Sequence, residues 1–238
     1  MFKKFNLFAI LAILLMFASS FTDNSNNTVT DIDGNIYNTV TIGTQVWMVE
    51  NLKTTRYNNG RSIPLVSHGP TWYNLTSPAY CWYNFDDANK NIYGTLYNWY
   101  TVKTGKLAPT GWHVPTDAEW TTLENYLIAN GYNCDGTTTG NKIAKSFAAT
   151  TFWKTDTTLG AIGNDLTRNN TSGFAGLPGG CRGSGGTFGS IGNYGYWWSS
   201  TEYSARYVWY RYLHYDGFNV GRSNASKQYG FSVRCLRD

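Results

Sequence analysis

The sequence predicts an α+β domain of two main helices, short antiparallel strands and long irregular loops. Three observations predict it. Turn dipeptides separate short alternating runs near the start, one capped amphipathic helix with a weaker companion occupies the middle, and the last third holds aromatic strands divided by turns. Hairpins, then helices, then a terminal strand cluster is the order of an α+β chain; a parallel α/β chain would alternate strand and helix.

The first twenty residues, MFKKFNLFAILAILLMFASS, read as a secretory signal peptide. Lys3 and Lys4 give the charged start, Phe5–Phe17 is apolar apart from Asn6, and Ala18-Ser19-Ser20 supplies small residues for cleavage near Ser20. The apolar run is too short to span a bilayer comfortably, and no later stretch could. Phe21 stands where a lipid anchor would need Cys. The expectation is a secreted, periplasmic or cell-surface protein with no stable membrane span after cleavage. Residues 21–30 form a polar lead-in, and residues 31–238 form the domain, with no interdomain linker and no internal repeat.

Within that domain, Gly34-Asn35 and Gly43-Thr44 mark turns, and Val40 and Ile42 alternate with Thr39 and Thr41, which predicts successive hairpins. Residues 54–87 show no period and read as irregular loops. GTLYNWYTV (94–102) gathers Leu96, Trp99 and Tyr100 on one helical face. HVPTDAEWTTLENYLIANG holds the firm helix: Thr116 and Glu119 make a capping box, Trp120, Leu123 and Leu127 form an apolar stripe, and Asn130-Gly131 ends it. GNKIAKSFAA (140–149) is the second, weaker helix. The strands expected after it are YGYWWSS (194–200), YVWYRYLHY (207–215), FNVGR (218–222) and YGFSVRCLR (229–237), with Asp216-Gly217 as a two-residue hairpin turn.

Composition excludes several functions. Charged residues are 14% and aromatics 17%, a profile of an ordered domain and not of a disordered chain. The formal charge of +4 falls by two when Lys3 and Lys4 leave with the leader, and no basic block or helix face remains, which excludes nucleic acid as the expected partner. His68, His113 and His214 lie far apart without a metal-ligand spacing, and DIDGN (31–35) lacks the later ligands of a calcium loop, so neither metal nor cofactor is expected. No phosphate loop or nucleophile elbow is present. A carboxylate pair assembled from distant Asp and Glu stays open as an enzymatic alternative. Cys81, Cys134, Cys181 and Cys235 contain no C-x-x-C pair; in an oxidising compartment they are disulfide candidates with three full connectivities, or buried free thiols.

Five strings, GTQVWMVENLKTTRYNNG, YGTLYNWYTV, GWHVPTDAEW, YWWSSTE and GFSVRCLRD, occur in the order seen in the Fibrobacter succinogenes major paralogous domain family, which the chain resembles from about Asp31 to Asp238. That family is secreted, bacterial and mostly of unassigned function. The resemblance implies a C-type-lectin-like fold, and HVPTDAEW is similar to the helix start of the formylglycine-generating enzymes of that fold. Those enzymes need two active-site cysteines close in sequence, whereas only Cys181 lies in the corresponding Gly-rich region. The calcium-dependent lectin strings E-P-N and W-N-D are absent too. Cys134 and Cys181 stand where the family pattern has Tyr, and a Cys134–Cys181 bridge is the pairing this departure suggests.

A strand alternates faces. In 207–215 the family pattern has Trp, Arg, Leu and Tyr at Trp209, Arg211, Leu213 and Tyr215, and commonly Asn at Tyr210, Tyr212 and His214. The odd set is therefore expected in the core with Trp120, Leu123 and Leu127, each large side chain contributing about 1.5–3 kcal/mol on burial. Tyr210, Tyr212 and His214 are the expected exposed stripe, extended across the turn by Asn219 and Ser223, and Tyr suits contact by joining a large rigid area to one hydroxyl. Some proteins of the C-type-lectin-like fold are diversified by retroelements that rewrite adenines, and Asn or Tyr codons reach Tyr, His, Asn, Gly, Ser, Asp and Cys that way. The expected function is a non-catalytic binding protein presenting this face to a protein or glycan at the cell exterior. The alternatives are an enzyme of formylglycine-generating or carbohydrate-active type and a structural adhesion component.

Overall fold

The computed structural model describes residues 27–238, so the expected signal peptide and residues 21–26 of the lead-in lie outside the described residues. The chain forms β1 (Thr28–Thr30), β2 (Ile36–Ile42), β3 (Gln45–Met48), α1 (Gly69–Tyr73), β4 (Tyr80–Cys81), α2 (Asp87–Tyr93), β5 (Leu96–Tyr97), α3 (Trp99–Val102) and β6 (Trp112–His113). It continues with α4 (Asp117–Ala129), α5 (Ala144–Phe147), β7 (Gly179–Arg182), β8 (Phe188–Ile191), β9 (Tyr194–Glu202), β10 (Tyr207–His214), β11 (Gly221–Ser226) and β12 (Leu236–Arg237). Every named strand pair is antiparallel, in sheets ordered β1-β2-β3-β12-β6, β11-β10-β9, β4-β5 and β7-β8. The protein is mixed helix and sheet, with few helices. No helix among the described residues is long and apolar enough to cross a membrane.

The first hairpin begins inside the segment read as a polar lead-in, because β1 pairs along β2 from Thr28↔Asn38 to Thr30↔Ile36. The turn is held by Asp31, whose carboxylate accepts from the N–H of Asp33 at 2.9 Å and of Asn35 at 3.0 Å. Gly43 then closes the β2–β3 turn with φ +63°, a backbone region that glycine enters without steric cost.

Helix α4 runs 13 residues from the Thr116–Glu119 capping box, with Trp120, Leu123 and Leu127 fully buried along one stripe. The second expected helix shortens to the single turn of α5. Its chain leaves the helix to pair with Gly176: the Gly176 N–H donates to Phe147 O at 2.7 Å and the Ala149 N–H to Gly176 O at 2.8 Å. Residues 94–102 divide likewise. Leu96–Tyr97 pair as a strand with Tyr80–Cys81, and only Trp99–Val102 is helical, capped by Asn98. Within the segment read as loops, Pro70 opens the short helix α1.

Two aromatic cores flank the β9–β10–β11 sheet. One centres on Phe174, in contact with Trp47, Trp120, Phe147 and Trp197, and takes Leu213 from β10. The other holds Tyr97, Trp198, Phe231, Val208 and Ala225. The last expected strand is mostly not a strand. Phe231 and Ser232 bridge singly to Tyr97 and Trp197, and Gly230 to Arg182, so this buried segment threads between three elements and joins a sheet only at Leu236–Arg237.

Three arginines are buried. Arg211 meets Asp117 and Glu124 of α4, which supplies the partner its position demands. Arg182 and Arg234 meet carbonyls and rings instead: Arg182 donates to Gly186 O, Val66 O and Ser67 O beneath the face of Trp72, and Arg234 lies over Phe174. Burial without a carboxylate in hydrogen-bonding contact lowers the Arg234 pKa to about 9.

The four cysteines are free thiols, which corrects the disulfide expectation. Cys81 is buried in a small cluster with Trp72, Ala79 and Leu96, while Cys235 is buried in the Tyr97–Phe231 core. Cys134 and Cys181 line separate cavities. Burial pushes the Cys81 thiol up to about 12 and that of Cys181 to about 11.

Candidate binding face

Strand β10 sorts its side chains by parity. Arg211 and Leu213 are buried on the α4 side. That side opens toward its ends. Trp209, expected in the core, is half-buried, with the guanidinium of Arg222 3.5 Å from its ring centroid and Tyr203 edge-on at 4.7 Å. The pairing explains this position, because β9 carries two extra residues between the Val208↔Glu202 and Tyr210↔Trp198 pairs, and the sheet opens there. Tyr215, also placed in the core by sequence, is half-buried against it.

On the opposite side Val208 is fully buried, whereas Tyr210, Tyr212 and His214 are half-buried and so less open than the expected stripe. Trp198, Phe231 and Tyr229 cover part of that side. Ser223 lies directly across from Tyr210. Asn219 does not extend the face: it is exposed in the six-residue connection between β10 and β11. That connection corrects the two-residue hairpin. It turns at Tyr215-Asp216, where the Gly217 N–H donates to His214 O at 2.9 Å, and β11 starts only at Gly221.

Residues of β9 and of the C-terminal segment complete the face. His214, Tyr194, Tyr196 and Phe231 stack in a row, with centroids 3.9, 5.3 and 5.0 Å apart and planes within 23°. Tyr212 and Tyr210 flank the row. Rings stacked this way spend much of their face area on each other. Tyr194 and Tyr196 share parity in YGYWW, a signal the sequence carried. Phe231 arrives from a segment without period, and no local pattern marks it.

A groove of about 440 Å³ runs beside the row, with Tyr196, Tyr210 and Phe231 along it, Tyr229 and Cys181 at its sides, and Asn224 and Ser226 from β11. A larger cavity of about 740 Å³ lies elsewhere, at the end of α4, lined by Asn133, Cys134, Lys145 and Arg168. The Lys145 ammonium there is already spent on the carbonyls of Ala161, Ile162, Asn164 and Asp165, and its burial lowers the pKa. The aromatic groove has no such internal occupant.

The titratable groups of the face are its tyrosines, with Cys181 at the groove and His214 at one end of the row. His113 is the histidine closest to a catalytic arrangement, near Ser200 in a small cavity. Its Nε2 lies 2.9 Å from Glu119 and its Nδ1 2.7 Å from Asp238, so neither nitrogen is left to take a proton from a hydroxyl. Burial opposes the charged ring, but the two carboxylates outweigh it and raise the pKa. His214 pairs with Asp216, and no group of three or more His, Cys, Asp or Glu that could hold a metal occurs among the described residues.

The architecture is that of a small mixed domain whose exposed features are aromatic and polar. The model of the Fibrobacter succinogenes major domain matches residues 40–237, most of the chain, and the protein belongs to that family. No curated protein and no solved structure matches it.

Proposed function

We propose that the protein is an exported binding module that holds a protein or glycan ligand against the aromatic face of β9 and β10. The observation that carries this reading is the continuity of Tyr194, Tyr196, Tyr210, Tyr212, His214 and Phe231 on one side of a sheet whose other side is fixed by Arg211 and Leu213. Tyrosines contribute large contact area for little rotamer entropy, and a rigid sheet keeps that area in register. Export follows from the charged start and apolar run of residues 1–20, and a C-type-lectin-like fold from the family resemblance. Retroelement diversification of the face remains part of the same proposal, since its Tyr and His codons share a mutable adenine.

The test is capture from cell-surface extracts and a glycan array by the wild type and by Y210A/Y212A/H214A. The wild type retains a ligand that the triple variant loses. Equal capture by a folded triple variant removes the face from the site.

A further inference from the structure

We infer that the groove beside the tyrosine row takes a neutral oligosaccharide in two adjoining subsites; this rests on the binding reading and names its ligand class. The first subsite is the groove of about 440 Å³, and a second basin of about 420 Å³ is lined by Tyr73, Asn74 and Gln228. Ser184 and Ser226 line both, which joins them end to end.

The lining is the argument. Neither basin carries a charged side chain, and the Cys181 thiol stays protonated at neutral pH. Lys227 lies in sequence between Ser226 and Gln228, yet it is buried with its ammonium 3.2 Å from Glu202. An anionic ligand would find no cation there, and a cationic one no carboxylate. What the groove offers is amides, hydroxyls and rings. Asn224 and Ser184 spend no side-chain hydrogen bond among the described residues, and Asn74 uses only its amide N–H, on Pro70 O at 3.0 Å. Polyhydroxylated neutral ligands need such donors and acceptors, fixed in place, to replace the water they lose.

Ring geometry separates this groove from the neighbouring row. His214, Tyr194, Tyr196 and Phe231 stack on one another, so the ring faces most free for a sugar lie beside the row. Tyr73 and Tyr207 are 61% and 44% exposed and pair with no other ring among the described residues, and Tyr229 has one tilted neighbour, Phe231 at 5.4 Å. Flat apolar faces beside polar side chains match a pyranose, which is apolar on its faces and hydroxylated at its rim.

The experiment is an array of neutral gluco-, manno- and xylo-oligosaccharides with acidic oligosaccharides as comparators, followed by titration calorimetry with the best neutral probe. Y73A and N224A are measured beside the wild type; Tyr73 is exposed and outside the tyrosine row, so Y73A keeps the fold. The expected result is binding of a neutral probe, weakened at least about tenfold in each variant. Absence of any neutral probe, or a preference for acidic ones, overturns the inference. So does neutral binding that neither variant weakens. Capture of a protein that Y210A/Y212A/H214A loses, without sugar binding, overturns the inference while leaving the binding reading intact.

Discussion

The ring of Tyr212 lies over its cross-strand partner Gly221, in the space a Cβ at that position would take. Glycine thus shapes the face by omission, and the backbone of Gly221 is not in the left-handed region that would itself require it. In G221A the half-buried ring swings outward while the strand persists. The cost to stability is about 1–3 kcal/mol, as for other added methyl groups, and ligand capture falls as in Y212A. Unchanged capture in G221A would show that the placement of Tyr212 is irrelevant to binding.

Arg211 anchors the sheet to α4 through Asp117 and Glu124. Burial raises the Glu124 pKa even though Arg211 opposes it, so this carboxyl depends on its partner. R211A leaves Glu124 buried and uncompensated and is expected to cost about 3–5 kcal/mol in urea unfolding. R211M/E124L removes both charges and recovers a large part of that loss. A double variant as unstable as R211A alone would assign the loss to packing.

His113 gives stability a pH dependence of definite sign. Its folded pKa is raised above the ordinary 6.5 by Asp238 and Glu119 against the opposing effect of burial. The stabilisation is therefore complete below 6.5 and is lost as pH rises through the folded pKa. Urea midpoints of the wild type decline on the alkaline side of 6.5, and those of H113Q do not. Parallel declines would place the titration elsewhere.

Free thiols at all four cysteines make the protein indifferent to reductant. A native disulfide typically contributes about 2–4 kcal/mol, enough to move a melting temperature by several degrees. Dithiothreitol is expected to leave the Tm unchanged, and thiol titration of the unfolded chain to find all four. A Tm that falls on reduction would reveal a bridge.

What the sequence made legible was local. The capping box of Thr116 and Glu119 and the stripe of Trp120, Leu123 and Leu127 need only neighbours along the chain, and the structure has that helix where it was read. Parity in β10 correctly grouped Tyr210, Tyr212 and His214 apart from Arg211 and Leu213. Burial was harder, because it depends on what packs from afar. Phe231 half-covers the tyrosines from a segment 17 residues past His214, and two extra residues in β9 leave Trp209 at an opening edge. Residues 140–149 and 94–102 carry helical spacing, yet partners at Gly176 and Tyr80 draw part of each into bridges. Tertiary pairing overrides the weak helical preference of such short segments.

Amide hydrogen exchange with and without the captured ligand tests the central claim most directly. The account predicts slowed exchange confined to β9, β10, β11 and residues 228–231. Slowed exchange confined instead to residues 130–171, around the larger cavity at the end of α4, would contradict it.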